Sequence, residues 1–244
     1  MATALAIESD NTIRMMPILD WMDERDGGII ALDGRAASGK TYLSALLRSY
    51  RGAGLVHMDD FFLPPELRTE ERLNTPGGNV HYERFISEVL EVLPLTRNKP
   101  FSYRKFSCRT MSYDGVREVS SSPWIVVEGA YSHHPLFENY MDLRVFSDIT
   151  PEVQKARITA RNGEEKAAEF ASKWIPLEEK YISEFKIQEK ADLIVPNLCP
   201  TIELSLGSVY PAQPRSPAEE IDGISHALAE AGSWRHVRFA EPAS

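Results

Sequence analysis

Residues 29–41 have the sequence Ile-Ile-Ala-Leu-Asp-Gly-Arg-Ala-Ala-Ser-Gly-Lys-Thr, in which an apolar run ends at a glycine and Gly-Lys-Thr follows five positions later. The stretch fits the pattern G-x-x-x-x-G-K-[ST], with a strand-like run before it and a helical pattern after it. Gly34 and Gly39 permit backbone angles and close approaches that a side chain would prevent. The stretch therefore predicts a strand, a loop whose N–H groups face an anion, and a helix that begins at the loop.

The chemistry of the loop assigns a role to its residues. Lys40 can place its charge on the outer phosphates of a nucleotide, and Thr41 can offer its hydroxyl to Mg²⁺. The residues predicted to contact the nucleotide are Gly34, Ala36, Ala37, Ser38, Gly39, Lys40, Thr41 and Tyr42. The alternative is an ordinary turn rich in glycine and serine, which does not account for the strand and helix on either side.

Length and composition restrict the classes of protein. The 244 residues fit one large domain, or one domain with an extension. A formal net charge of -9 argues against a broad nucleic-acid-binding face. No apolar run approaches the length of a membrane span, and no secretory signal is evident at the start. The only cysteines, Cys108 and Cys199, are too few for a disulfide framework, which favours a reducing, cytoplasmic location.

Short apolar runs alternate with helical stretches along the chain. This alternation predicts an α/β fold in which a parallel sheet is covered on both faces. The predicted strands are residues 29–33, 55–58, 124–127, 143–146 and 192–195. We expect a domain over residues 1–200, with a loose start at 1–12 and a lid near 154–172, followed by a linker and an appended helix over 201–244.

Carboxylates stand at two of the predicted strand ends. Ligands of an open parallel sheet bind beyond the carboxyl ends of the strands, so Asp59, Asp60 and Glu128 are expected to converge on the phosphate loop. Phosphoryl transfer needs a base for the acceptor hydroxyl and oxygen ligands for magnesium, and Asp59 suits the first role and Glu128 the second. The alternatives are a helix cap at Asp59-Asp60, with Asp60 in a supporting role, and an ordinary exposed carboxylate at Glu128.

Arginines and histidines supply further candidates. Arg157 and Arg161 lie four positions apart and share one helix face, where a lid over the phosphates could use them to neutralise charge. A solvated charged face explains Arg157 equally well. Adjacent histidines point apart, so His133 and His134 are interpreted as loop residues rather than a metal pair. His57, inside a strand, is interpreted as a structural histidine.

The ordered set of motifs resembles the uridine kinase and phosphoribulokinase group of P-loop kinases. The resemblance rests on the phosphate loop, on Asp59 followed by Phe61-Phe62, and on Val126-Val127-Glu128-Gly129. Three further stretches strengthen it: Asn-Val-His-Tyr-Glu-Arg-Phe at 79–85, Pro-Phe-Ser-Tyr at 100–103 and Ala-Asp-Leu-Ile-Val-Pro at 191–196. It spans roughly residues 29–196.

The resemblance implies a nucleotide-kinase-like three-layer fold with a central five-stranded parallel sheet and a mobile helical lid. It also implies ATP as phosphoryl donor and Mg²⁺ as cofactor. Carried over by position, Lys40 and Thr41 hold phosphate and metal, Glu128 helps to hold magnesium, and Asp59 is the base toward the acceptor hydroxyl. By the same transfer, the lid arginines are Arg157 and Arg161, and Tyr103 is an aromatic residue of the substrate pocket.

The chain departs from the family pattern in the acceptor region. His81 stands where uridine kinases carry the Asp of Asn-x-Asp-x-Pro, and Arg104-Lys105 interrupts their Tyr-Asp-Phe. Arg109 is one position short of a family arginine. The residues predicted to contact the acceptor are Asp59, His81, Tyr103, Arg104 and Arg109. The added basic residues leave an anionic acceptor open.

The sequence therefore predicts an ATP-dependent, magnesium-requiring kinase that acts on a hydroxyl of a small molecule, such as a nucleoside or a similar sugar-bearing compound. Two alternatives stay open: an NTPase or nucleotide-binding switch that acts on a partner, and a kinase for a phosphorylated acceptor such as a nucleoside monophosphate. The expected partner is the small-molecule acceptor, without nucleic acid or membrane. The oligomeric state is open between a monomer and a homodimer.

Overall fold

A parallel sheet forms the centre of the protein in a computed structural model, which describes residues 14–94 and 99–196. Its strands are β1 (Gly28–Gly34), β2 (Gly54–His57), β5 (Trp124–Glu128), β6 (Leu143–Asp148) and β7 (Leu193–Pro196). They lie in the order β2-β5-β1-β6-β7, and every neighbouring pair is parallel. The five predicted strands and the predicted α/β class are confirmed.

Side chains alternate across the strands and so create two hydrophobic cores, one on each face of the sheet. On β1, Ile30 and Leu32 enter the core that also contains Leu43 and Leu47 of the helix after the phosphate loop. The other face packs against a second core, whose members include Val56, Val127, Phe146, Phe61, Phe85 and Tyr181. Burial on both faces explains why the strands are nearly continuous apolar runs.

Helices cover the sheet. They are α1 (14–23), α2 (Lys40–Arg51), α3 (Glu70–Asn74), α4 (Tyr82–Phe85), α5 (Pro151–Asn162), α6 (Glu164–Glu169) and α7 (Ile175–Phe185). A π-helical segment, Ile86–Leu90, extends α4, and another, Phe170–Trp174, joins α6 to α7. Short 3₁₀ turns occur at Met58–Phe61, Pro65–Leu67 and Pro135–Phe137. No helix within the described ranges is long and apolar enough to cross a bilayer.

Prolines mark two helix starts. Thr150 caps α5 by accepting a hydrogen bond from the backbone N–H of Val153, and Pro151 takes the first helical position. Pro176 lies at the start of α7, directly after the π-helical segment, and a wider turn accommodates a residue that lacks an N–H donor. Residues 14–23 form one continuous helix through Pro17.

A β-hairpin stands apart from the central sheet. Strands β3 (Phe101–Ser107) and β4 (Ser112–Val119) are antiparallel, and Tyr103 lies opposite Arg117. The predicted strands include neither β3 nor β4, and most residues of β4 are exposed and polar. The expected loose start at 1–12 and the linker and helix at 201–244 lie outside the described residues.

Candidate active site

The phosphate loop connects β1 to α2, as predicted, and glycine is required where the loop begins. Gly34 has a φ of +135°, and a Cβ atom there would lie 2.0 Å from the backbone oxygen of Ser147. Gly39 has a φ of 102° and precedes α2, whose first turn has no side-chain cap and no acidic residue. The N–H groups at this helix end are thus available to an anion.

Lys40 and helix α5 both contact the loop. Lys40 is 9% exposed, and its Nζ donates hydrogen bonds to the backbone oxygens of Gly34, at 2.7 Å, and Arg35, at 2.9 Å. From α5, Arg157 Nη1 donates to the backbone oxygen of Ala37 at 3.0 Å. The structure therefore places one of the two predicted lid arginines at the phosphate loop.

Two predicted residues lie away from the loop. Arg161 is exposed at the end of α5, where its Nε donates to Asn162 Oδ1 at 2.7 Å. Tyr42 is 6% exposed and packs in the core between α2 and the sheet. The predicted nucleotide contact of Tyr42 is thus not available to its side chain in this arrangement.

Thr41, Glu128 and His57 form a polar cluster beside the loop. Thr41 Oγ1 donates to Glu128 Oε2 at 3.3 Å, and the other carboxylate oxygen of Glu128 lies 2.5 Å from His57 Nδ1. A hydroxyl and a carboxylate that converge in this way fit Mg²⁺, which is commonly held by one or two side-chain oxygens together with phosphate oxygens and water. Within the described ranges, no group of three or more His, Cys, Asp or Glu side chains could hold a metal by itself.

Asp59 and Asp60 follow β2 in the turn Met58–Phe61 and face different surroundings. Asp60 is 4% exposed, whereas Asp59 is exposed. Neighbouring protein atoms nevertheless limit the hydration of the Asp59 carboxylate, and this desolvation raises its pKa, as do the charges of Glu128 and Asp60. Lys40 and His57 act in the opposite direction. Asp59 is therefore the candidate base beside the phosphate loop.

Asp60 connects the turn to the hairpin. Arg117 donates from Nε to Asp60 Oδ2 at 2.5 Å and from Nη2 to Oδ1 at 3.3 Å. The hydroxyl of Tyr103 donates to Asp60 Oδ2 at 3.1 Å and accepts a hydrogen bond from the backbone N–H of His57 at 3.0 Å. Tyr103 is 2% exposed and packs in the second hydrophobic core, so its side chain does not face an acceptor. The sequence analysis missed Arg117, which no motif marks.

The other basic residues predicted for the acceptor pocket lie outside this cluster. Arg104 is exposed, and its Nε and Nη2 both donate to Oε1 of Glu88, at 2.8 Å and 2.6 Å. Arg109 is exposed in the turn between β3 and β4. His81 is half-buried at the start of α4, and burial together with the charge of Arg84 lowers its pKa, so its imidazole is neutral at pH 7.

Asp33, directly before the loop, is a buried junction that the sequence analysis also missed. It is 1% exposed and accepts hydrogen bonds from the backbone N–H groups of Gly34, at 2.7 Å, Tyr131, at 3.1 Å, and His133, at 2.8 Å. The Tyr181 hydroxyl of α7 donates to its Oδ2 at 2.7 Å. Asp33 therefore joins the phosphate loop, the segment after β5 and α7.

Two further side chains of α7 contact the phosphate loop. Glu178 is 9% exposed, and its Oε2 accepts a hydrogen bond from the backbone N–H of Ala36 at 2.9 Å. Burial raises the pKa of Glu178 to about 7, while the charge of Lys40 and the bond from Ala36 oppose that shift. Glu179 accepts a hydrogen bond from Arg35 Nε at 2.6 Å. Both glutamates thus link α7 to the loop.

His133 and His134 are buried residues of the segment that follows β5. His133 Nε2 lies 3.0 Å from the backbone oxygen of Ala31, and burial lowers the pKa of both imidazoles. The ring of His134 stacks on that of Tyr181, with centroids 6.0 Å apart. These contacts agree with the interpretation as loop residues.

Comparison with known proteins gives matches among solved structures. No family model matches the chain, and no curated protein matches it. A candidate uridine kinase from Bacillus stearothermophilus is 19% identical, with a TM-score of 0.52 over 74% of this chain and 96% of that chain. A candidate fructose transport system kinase from Silicibacter sp. TM1040 is 21% identical, with a TM-score of 0.54 over 75% and 98% of the two chains. The likeness concerns the fold: the chain shares its α/β fold with these two structures.

Proposed function

We propose that the protein is an ATP-dependent, magnesium-requiring kinase that transfers a phosphoryl group to a hydroxyl of a small molecule, such as a nucleoside or another sugar-bearing compound. The position of Asp59 carries the proposal, because its carboxylate interacts electrostatically with both Lys40 and Glu128. A phosphate loop is common to kinases, motors and switches. A carboxylate beside the loop is what transfer to a hydroxyl additionally requires.

The phosphate loop supports binding of the nucleotide. The uncapped start of α2 offers N–H groups to the phosphates, and Lys40 brings a positive charge to the same place. From α5, Arg157 donates a hydrogen bond to the backbone oxygen of Ala37 in the loop, and its guanidinium can neutralise phosphate charge there. Most of the catalysis would then come from positioning and charge neutralisation.

Thr41 and Glu128 are the residues that would hold magnesium. Their oxygens approach to 3.3 Å, and His57 fixes the orientation of the Glu128 carboxylate through its second oxygen. When bound, Mg²⁺ neutralises phosphate charge and orients the transferred group.

Asp59 would act as the base in the transfer step. Its carboxylate accepts the proton of the acceptor hydroxyl while the hydroxyl oxygen forms a bond to the γ-phosphorus of ATP. The bond between that phosphorus and the bridging oxygen breaks, and ADP leaves with the electron pair. Desolvation raises the pKa of Asp59, which makes the ionised carboxylate a stronger proton acceptor.

Charge pairing on the hairpin favours an uncharged acceptor over a phosphorylated one. Arg104 pairs with Glu88, Lys105 Nζ lies 3.6 Å from Asp114 Oδ2, and Arg117 pairs with Asp60. Glu88 and Asp114 thus compensate Arg104 and Lys105, two of the basic residues that suggested an anionic acceptor. Phe62 after the Asp59 turn and Trp174 before α7 lie with ring centroids 6.0 Å apart and supply apolar surface nearby.

The test is a search for a phosphorylated product. The protein is incubated with ATP and Mg²⁺ against nucleosides, nucleoside monophosphates, vitamins and sugars, with uridine and fructose included, and products are detected by mass spectrometry. We expect a phosphorylated hydroxyl compound that is absent with the Lys40→Ala variant and without Mg²⁺. Release of ADP and inorganic phosphate with no phosphorylated compound would favour an NTPase or switch, and a product only from monophosphates would favour the phosphorylated acceptor.

A further inference from the structure

The hairpin β3–β4 and the turn that carries Asp59 are joined through one buried carboxylate. Asp60 is 4% exposed and receives three side-chain hydrogen bonds, two from Arg117 and one from Tyr103. Arg84 adds a hydrogen bond from its guanidinium to the backbone oxygen of Asp60. The Asp60 residue is thus held through both its side chain and its backbone.

The geometry of these contacts restricts how the hairpin and the turn can move. A guanidinium that binds both oxygens of a carboxylate fixes direction as well as distance, which a lysine ammonium does not do. Arg117 and Tyr103 are opposite each other in the hairpin register, so both contacts to Asp60 come from the same position along the hairpin. Tyr103 also accepts the N–H of His57 at the end of β2. The hairpin and residues 57–60 are therefore linked at three places.

Asp59 lies directly next to the residue that this link holds. It precedes Asp60 in the four-residue turn Met58–Phe61, and its own carboxylate makes no hydrogen bond within the described ranges. Its placement is accordingly set by the backbone of the turn. A displacement of about 1 Å in a reacting group can cost roughly 100-fold in rate.

We propose that Arg117 is a positioning residue for phosphoryl transfer, which holds Asp60 and thereby sets the place of the Asp59 carboxylate relative to the acceptor hydroxyl. The proposal rests on the proposed kinase function. Arg117 itself touches neither the phosphates nor the reacting oxygen in this scheme. Its side chain is 35% exposed, so its role does not depend on filling the core.

The first test needs no acceptor. Amide hydrogen exchange is compared between the wild type and Arg117→Met, without ligands, for peptides that cover residues 57–62 and 28–34. We expect faster exchange at 57–62 and unchanged exchange at 28–34, since β1 lies in the middle of the sheet. Unchanged exchange at 57–62 would overturn the proposal, whether or not the protein phosphorylates any compound. Tyr103→Phe, which removes a single hydroxyl, is the second variant if Arg117→Met folds poorly.

The second test separates positioning from general stability. With Mg²⁺, ATP and uridine, Arg117→Met is expected to lower kcat about 10-fold to 100-fold while the KM for ATP changes less than about twofold. Arg117→Lys should recover part of the loss, because it keeps the charge without the two-pronged contact. Arg104→Met is the matched control, since Arg104 lies on the same hairpin but pairs with Glu88 of the π-helical segment instead of Asp60.

A double-mutant cycle completes the design. If Arg117 acts through Asp60, then Asp60→Asn combined with Arg117→Met should lose about as much kcat as the more severe single variant. The proposal would be overturned if the kcat losses of the two single variants multiply in the double variant. It would also be overturned if Arg117→Met has the same kcat per folded molecule as the wild type. If the wild type phosphorylates neither uridine nor any other compound, the kinase function fails, and the exchange measurement still decides whether Arg117 holds the turn.

Discussion

The carboxylate of Glu178 accepts a hydrogen bond from the backbone N–H of Ala36 in the phosphate loop, with 2.9 Å between Oε2 and the nitrogen. The loop offers such N–H groups to phosphate oxygens, and a carboxylate is also an anion. Lys40 attracts the ionised form of Glu178, and Asp33 and Asp59 repel it. A phosphate bound beside Ala36 would add to the repulsion, so nucleotide binding and the charge of Glu178 are coupled.

Glu178→Gln is expected to remove a pH dependence of nucleotide binding. The pKa of Glu178 is raised to about 7, so the group is neutral below pH 7 and becomes charged as the pH rises through 7. The charge opposes the phosphates, and the wild type should therefore lose affinity for ADP between pH 6 and 8.5 relative to the variant. If bound phosphate raises the pKa of Glu178 by a further unit, the relative change is about 10-fold.

The quantity to measure at each pH is the ratio of the ADP dissociation constants of the wild type and Glu178→Gln, because the titration of ADP itself cancels in this ratio. Glu179→Gln is the control, since Glu179 is the next residue but pairs with Arg35 instead of the loop amide. Parallel pH profiles for the wild type and Glu178→Gln would show that Glu178 does not oppose the nucleotide.

Lys40→Ala is expected to abolish transfer and to leave the fold intact. The Lys40 ammonium would stabilise the negative charge of the phosphates during transfer, and loss of one such group typically costs about 100-fold to 1,000-fold in rate. Its bonds in the structure go to two backbone oxygens of the loop, so we expect a small effect on the circular dichroism spectrum and the melting temperature. Lys105→Ala on the hairpin is the control for loss of a charge. Unchanged turnover in Lys40→Ala would remove the central assignment.

Asp59→Asn is expected to slow transfer strongly while ATP still binds. An amide cannot accept the proton of the hydroxyl, and loss of a general base typically costs about 100-fold to 10,000-fold. The affinity for ATP, measured by titration calorimetry, should stay within about twofold of the wild type, because the loop and α2 bind the phosphates. Asp114→Asn, an exposed carboxylate of the hairpin, is the control. Near-normal rates in Asp59→Asn would assign the base to another group.

The sheet and the phosphate loop could be predicted because their signals are local. Each strand is a short apolar run, and the loop has a fixed spacing of glycine, lysine and threonine. Asp59 and Glu128 could be located because strand ends of a parallel sheet share one edge. For these residues, neighbours in the sequence are sufficient to define the site.

The acceptor side could not be predicted in the same way, because it depends on strand register. Arg117 contacts Asp60 although the two are 57 positions apart in the sequence. The strand register also shifts between Arg104 and Phe106, and no local sequence pattern predicts this irregularity. The prediction of an acceptor contact for Arg104 rests on its departure from the family's Tyr-Asp-Phe and on its charge. Successive side chains of a strand point to opposite faces, so the burial of Tyr103 already implies that Arg104 faces away.

Tyr181→Phe is expected to lower the free energy of unfolding by about 1.5–3 kcal/mol, the usual contribution of a hydrogen bond to a charged group. The Tyr181 hydroxyl lies 2.7 Å from Oδ2 of Asp33, which is 1% exposed and cannot turn to water for a replacement donor. Three backbone N–H groups remain on Asp33, so the variant should still fold. Urea denaturation followed by tryptophan fluorescence measures the change. Tyr140→Phe is the control, because its hydroxyl donates to the neutral backbone oxygen of Ser132 at 2.9 Å and should cost only about 0.5–1.5 kcal/mol. Equal losses in the two variants would mean that Asp33 does not hold α7 through a charge-assisted bond.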